Sequence, residues 1–235
     1  MLRSFVIPGA VALATVLSLL PSPAAVAADG DGVVHRDLLD RAVTVPAPVD
    51  HVICSGAGCL RLLVYLQASS MVVGVDAMEV RHERFAARPY ALANPGLRSL
   101  PVFGEMRGHD NAELILALRP SPDVVFKTWG TTMGVTPDEL AGRTGVPVVA
   151  VDAGDLGARF PELAGSLRLM GAVLGREERA AAVVDFLETT IADLARRVAD
   201  VPEASRPSVY LGGVAFRGPH DLTSTEPAYP PFTLV

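Results

Sequence analysis

Between about residues 45 and 155, short runs of β-branched residues alternate with helix-compatible stretches, and this alternation limits the possible folds more than any other feature. DHVICS (50–55), MVVGVD (71–76), DVVFKTW (123–129) and VPVVAVD (146–152) read as strands, with PVFGE (101–105) as a brief extended piece. Strands that are apolar at consecutive positions, not at every second one, belong to a parallel sheet buried on both faces. The connecting segments read as helices: 59–68, 80–94 with a break at Pro89, 111–120 ended by Pro120, and 136–145. In the last, Thr136 and Glu139 form a capping box, Pro137 takes the first helical position and Gly145 lies past the end. One doubly wound α/β lobe follows from this order.

The rhythm changes after residue 158. FPELAGSLRLMGAVLG (160–175) is a helix opened by Pro161 and closed by Gly175, and a longer one runs from 177 to about 201. Ala180, Val184, Leu187, Ile191, Leu194 and Val198 recur at spacings of three and four, so one face is apolar throughout. From Glu177 to Ala199, at 1.5 Å per residue, it spans roughly 34 Å, about a domain diameter. Such a helix serves either as a strut to a second lobe or as one more helix packed on the first. PSVYLGG (207–213) returns to strand character, as the opening of a second lobe. The divisions expected are 1–28 signal peptide, 29–158 N-terminal α/β lobe, 159–203 helical linker with the long spanning helix, and 204–235 the start of a truncated C-terminal lobe.

The leader carries Arg3, an uncharged apolar run from Phe5 to Leu20 and an Ala25-Val26-Ala27 cleavage signal, which reads as a cleavable secretory signal peptide and places the protein in the periplasm. A retained membrane anchor is the other reading of the run. The net charge of −6, with no basic run, argues against nucleic acid or an anionic membrane surface as the main partner. Lys127 is the only lysine, which points first to codon bias. Cys54 and Cys59 are the only cysteines; an oxidising compartment permits a disulfide, and two small buried residues beside a tight turn fit equally well.

Several blocks together resemble the substrate-binding proteins of ABC importers for iron complexes, haem and cobalamin. VDHVICSGAGCLRLLVYL resembles the first strand and helix of that family, and NAELILALRPSPDVVF its n-x-E-x-i-l-a-L-k-P-D-l-V block. GVPVVAVD, LRLMGAVLGREERAAAVVDFLE and RPSVYLGG resemble a later strand, the entry to the spanning helix and the first strand of the second lobe. The terminal GPHDLTSTEPAYPPF is similar to a stretch in a subgroup for iron complexes. The resemblance implies capture of a ferric-siderophore-like chelate, delivery to an inner-membrane permease, and a monomeric protein with no catalysis and no cofactor. It also implies that Glu113, in the n-x-E position, docks on the permease. Read locally, Glu113 sits in a first helical turn where it favours the helix dipole.

Ligands of open α/β sheets bind beyond the carboxyl ends of the strands. Ser55, Gly56 and Ala57, with backbone N–H groups at a strand-to-helix turn, are therefore candidates, as are Trp129 and Thr131 after the third clear strand. Arg107, near His109 in a loop at another strand end, suits a carboxylate or catecholate. Arg217 and Tyr229, with His220, are the candidates of the last segment. Enzyme readings fit less well. Gly56-x-Gly58 with Asp76 imitates a dinucleotide fingerprint, but Arg61 stands where the third glycine belongs. There is no G-x-S-x-G, and the five histidines are scattered, so no metal site is expected.

Overall fold

The computed structural model describes residues 32–81, 88–105, 108–129, 134–215, 218–219, 221–226 and 229–234. The expected signal peptide lies outside these residues, as do Arg107, Thr131, Arg217 and His220.

The chain opens with an antiparallel hairpin, β1 (Gly32–Arg36) and β2 (Ala42–Pro46). Sequence reading treats this stretch as a polar leader. The hairpin turn is fixed by Asp37, which is 4% exposed. Its Oδ1 accepts from the N–H groups of Leu39 and Arg41, and its Oδ2 from Arg41 and from the Ala150 N–H at 3.0 Å. One carboxylate thus ties the hairpin to the edge of the main sheet.

That sheet has six strands in the order β6-β5-β4-β3-β7-β8: His109–Asp110, Val102–Glu105, Val72–Asp76, Val52–Ser55, Val124–Thr128 and Val148–Val151. All neighbours pair in parallel except the short β6, which runs against β5. Successive residues feed opposite faces, as strand geometry requires. Val52, Cys54, Val124, Phe126, Val149 and Val151 join one core with α1 (Cys59–Tyr65), α6 (Phe160–Leu174) and α7 (Glu177–Val198). Ile53, Val125 and Val148 join the other, with α4 (Ala112–Ala117) and α5 (Pro137–Thr144). The expected doubly wound α/β lobe is therefore present. Between β4 and β5 run the one-turn helices α2 (Ala77–Arg81) and α3 (Pro89–Ala93), the latter starting at the proline expected to break a longer helix.

The long helix α7 has 22 residues, about 33 Å at 1.5 Å per residue. Only Ala180 and Val184 on it are buried, both in its N-terminal half, where it packs on α6; Ile191, Leu194 and Val198 are half-buried. Helix packing accounts for the first half and leaves the second extending beyond the lobe's core.

After α7 the expected strand over residues 207–213 does not form. Residues 207–211 are unpaired, and ladder contacts are limited to a bridge between Gly212 and Thr225 and the pairing of β9 (Val214–Ala215) with β10 (Gly218–Pro219). The last element is α8 (Pro230–Thr233). A strand needs neighbours on its edges and apolar cover, and among the described residues this segment has neither.

Candidate functional site

From β3 the chain winds outward through β4 to β5, then returns to the opposite side of β3 to place β7 and β8. The winding direction reverses between β3 and β7, and in open α/β sheets the crevice at that reversal, beyond the carboxyl ends, is where ligands bind. β3 ends at Ser55 and β7 at Thr128, so the β3–α1 loop and Trp129 form the two lips.

The β3–α1 loop is closely held. Cys54 and Cys59 are joined by a disulfide, with Cα atoms 5.4 Å apart, which decides the alternative the sequence left open. Gly56 has φ +90° and lies so close to Thr128 that a Cβ would fall 2.2 Å from its Oγ1. Gly58, at φ +81°, meets Ala153 in the same way, at 2.7 Å. Both positions therefore require glycine for backbone conformation and for space. The loop's crest, Ala57, is exposed, and Trp129 on the neighbouring strand end is half-buried.

Ser55 is turned inward. Register sets it beside Lys127, on the face that also carries Ile53 and Val125. The Lys127 ammonium donates to Asp110 Oδ2 at 2.5 Å, to the Gly108 carbonyl at 3.0 Å and to Ser55 Oγ at 3.3 Å. The Ser55 hydroxyl donates to Asp110 Oδ1 at 2.6 Å. Both ions are out of solvent, at 0% and 1% side-chain exposure. Burying two charges is tolerated only because each is paired and further hydrogen-bonded. The network fastens β6 and Gly108 beneath the crevice floor and commits the Ser55 hydroxyl to the interior.

A second polar cluster stands at the end of β4. Glu79, 7% exposed, accepts from the Tyr90 hydroxyl at 2.8 Å and from Arg88 at 2.9 Å. Asp76 Oδ1 accepts from the Met78 N–H at 2.9 Å. Burial first, and then the nearby Glu79 charge, raises the Asp76 carboxyl to about 6. Burial and Glu79 likewise push the Tyr90 hydroxyl well above its ordinary range. These groups share with Gly56 and Ala57 a void of about 10 Å³, room for one water and nothing larger.

The structure thus brings Gly56, Ala57 and Trp129 to one crevice and turns the expected Ser55 side chain away from it, into the Lys127–Asp110 network. Tyr229 lies elsewhere in the described contacts, its ring edge-on to Phe232 with centroids 5.4 Å apart, just before α8. Glu113 is exposed in the first turn of α4, where its N–H donates to the Asn111 side chain at 3.0 Å. Lys127, Asp110, Glu79 and Tyr90 escaped the sequence reading. The signal for the first was a lone lysine inside a strand otherwise fit for burial, which demands a partner.

No family model matches the sequence, and no curated protein matches it. Solved structures do. The molybdate periplasmic binding protein MolA of Haemophilus influenzae, bound to molybdate, superposes with a TM-score of 0.62 at 24% identity, over 76% of this chain and 57% of that one. The chain has the fold of the periplasmic solute-binding proteins of ABC transporters. A periplasmic haem-binding protein of Pseudomonas aeruginosa shares this binding-protein fold with a TM-score of 0.51 at 27% identity, over 68% of this chain and 50% of that one. An ABC-type Fe3+-hydroxamate transport protein of Saccharomonospora viridis matches at 0.52 and 23% identity, over 71% and 56%. The chain spans about half the length of these binding proteins. Among the described residues no helix is long and apolar enough to cross a membrane.

Proposed function

We propose that this chain supplies the N-terminal half of the substrate-binding component of an ABC importer, working in the periplasm as a monomer. Its cargo is a ferric-siderophore-like metal chelate. The observation that carries the reading is the reversal of the sheet between β3 and β7, with an exposed loop crest and a half-buried tryptophan at its lips, in a lobe of binding-protein fold. Trp129 offers a flat apolar face to a planar or ring-bearing ligand. The disulfide and the two glycine contacts hold the opposite lip rigid, so little ordering cost falls on binding. Arg107, Thr131 and Arg217 complete the proposed contacts, with Tyr229 from the last segment. Glu113, exposed on α4, is the proposed contact with the inner-membrane permease. The role is capture and delivery, without catalysis and without a cofactor.

Trp129 is the sole tryptophan, so its emission reports on the crevice alone. The native exported protein is titrated with a ferric hydroxamate, a ferric catecholate, haem, cobalamin and molybdate. Saturable quenching by a ferric chelate, lost in Trp129→Leu by an independent binding assay, is the expected result. Saturation by haem, cobalamin or molybdate alone would replace the cargo and keep the role. No response to any of them would sink the reading.

A further inference from the structure

A groove of about 750 Å³ lies between α1 and α7, with Pro230 of α8 at its edge, and its lining does not include Gly56, Ala57 or Trp129. Its walls are apolar: Tyr65 from α1, Leu156 and Leu163 from the β8–α6 connection and α6, and Phe186 and Leu187 from α7. Phe186 is 68% exposed, and Tyr65 and Leu156 are also among the exposed large apolar residues. Isolated exposed apolar residues are ordinary, but several converging on one concavity mark a binding surface. The volume falls within the usual range for small-molecule pockets.

Two arginines line this groove, and they give it chemistry. Arg61 donates to the Ala153 carbonyl at 3.1 Å and lies 5.7 Å from the Tyr65 ring centroid, while its Nε is buried with no hydrogen-bond partner. Arg179 donates through Nε to the Tyr65 carbonyl at 2.9 Å. Neither guanidinium has a carboxylate partner among the described residues, although the chain is acidic overall. Asp155 is the carboxylate in the lining, and its Oδ1 accepts from the Gly157 and Arg159 N–H groups. The groove thus keeps a net positive charge and an unanswered N–H donor, whose burial is costly until an acceptor arrives.

We propose that this groove is a second binding site, for a small amphipathic carboxylate whose acyl or aryl body lies along Tyr65 and Phe186. The head group pairs with Arg61 and Arg179, and the body covers the exposed apolar wall. Arg61 is the residue that breaks the dinucleotide-like glycine pattern, so the same substitution that spoils one site furnishes another.

Isothermal titration of the native protein with decanoate, and with decanol as its uncharged counterpart, tests this. One-site decanoate binding at least tenfold tighter than decanol is expected. Arg61→Met should weaken decanoate at least tenfold, and Phe186→Asp should abolish its binding, with the Trp129 response to chelate unchanged in both. Should Arg61→Met unfold, as a melt will show, Arg179→Gln on the exposed α7 surface provides the same comparison. Equal affinity for decanoate and decanol, absence of saturable heat, or indifference to Phe186→Asp would each overturn the site. So would a concentration-dependent dimer dispersed by Phe186→Asp, which would make the groove a contact between copies of this chain.

Discussion

β8 and the stretch over residues 207–211 are built from similar residues, Val-Val-Ala-Val in one and Pro-Ser-Val-Tyr-Leu in the other, and both follow helices. All four residues of β8 are buried, and it pairs with β7 in continuous register. Val209 and Tyr210, in contrast, are 59% and 62% exposed, and their backbone joins no ladder. The difference lies in the neighbours. β8 has a paired edge, a helix layer on each face and the Asp37 carboxylate accepting its Ala150 N–H; residues 207–211 have none of these among the described residues. Propensity makes a strand possible, and pairing with burial makes it exist.

The largest effect should come from Lys127→Met, which leaves the Asp110 carboxylate buried without its cation. About 3–5 kcal/mol of stability should be lost in urea unfolding. Adding Asp110→Asn, which keeps an acceptor for Ser55, should restore most of it. A loss below about 1 kcal/mol would mean that the lobe does not depend on this pair.

Asp76→Asn comes next. The folded carboxyl is raised from 3.8 to about 6, so between these values the folded protein holds a proton that the unfolded chain has released. Its contribution to stability therefore falls as pH rises across that window and is level above it. Asparagine keeps the acceptor for the Met78 N–H and removes the charge. The variant should match the parent near pH 4 and exceed it at pH 7 by up to about 3 kcal/mol, two units at 1.36 kcal/mol each. Parallel pH profiles for the two proteins would contradict this.

Replacing both Cys54 and Cys59 by serine should cost about 2 kcal/mol on loop-closure grounds, and should loosen Ala57 on its crest, seen as faster amide exchange there. Unchanged exchange would assign the rigidity of the loop to its glycine contacts alone. The smallest effect belongs to the unpaired segment: Val209→Thr should alter stability by no more than about 0.5 kcal/mol. A larger loss would show that this segment packs in solution after all.

The parallel core was legible because its strands are continuous Val, Ile and Phe runs that nothing but two-sided burial explains, and α5 because its cap residues stand at fixed offsets. The β1–β2 hairpin was not, since each strand buries little and its turn is held by Asp37 through a strand more than a hundred residues away. For the crevice, the Gly-rich loop and Trp129 could be placed from the alternation alone. The ion pair beneath it could not, because Asp110 and Lys127 are 17 residues apart and meet only after β6 folds back on β5. Ser55 was placed correctly along the chain, but its facing direction depends on the β3–β7 register, which no local pattern specifies.

Lys127 has a practical consequence. It is the chain's only lysine, and its ammonium is wholly enclosed and engaged by three acceptors. In the folded lobe an amine-reactive dye or resin therefore finds no lysine to attack, and any tag it places on this chain goes to the α-amino terminus. A second tag can be added only when the lobe opens down to its sheet, and its rate of appearance counts the rare moments at which the whole lobe comes apart.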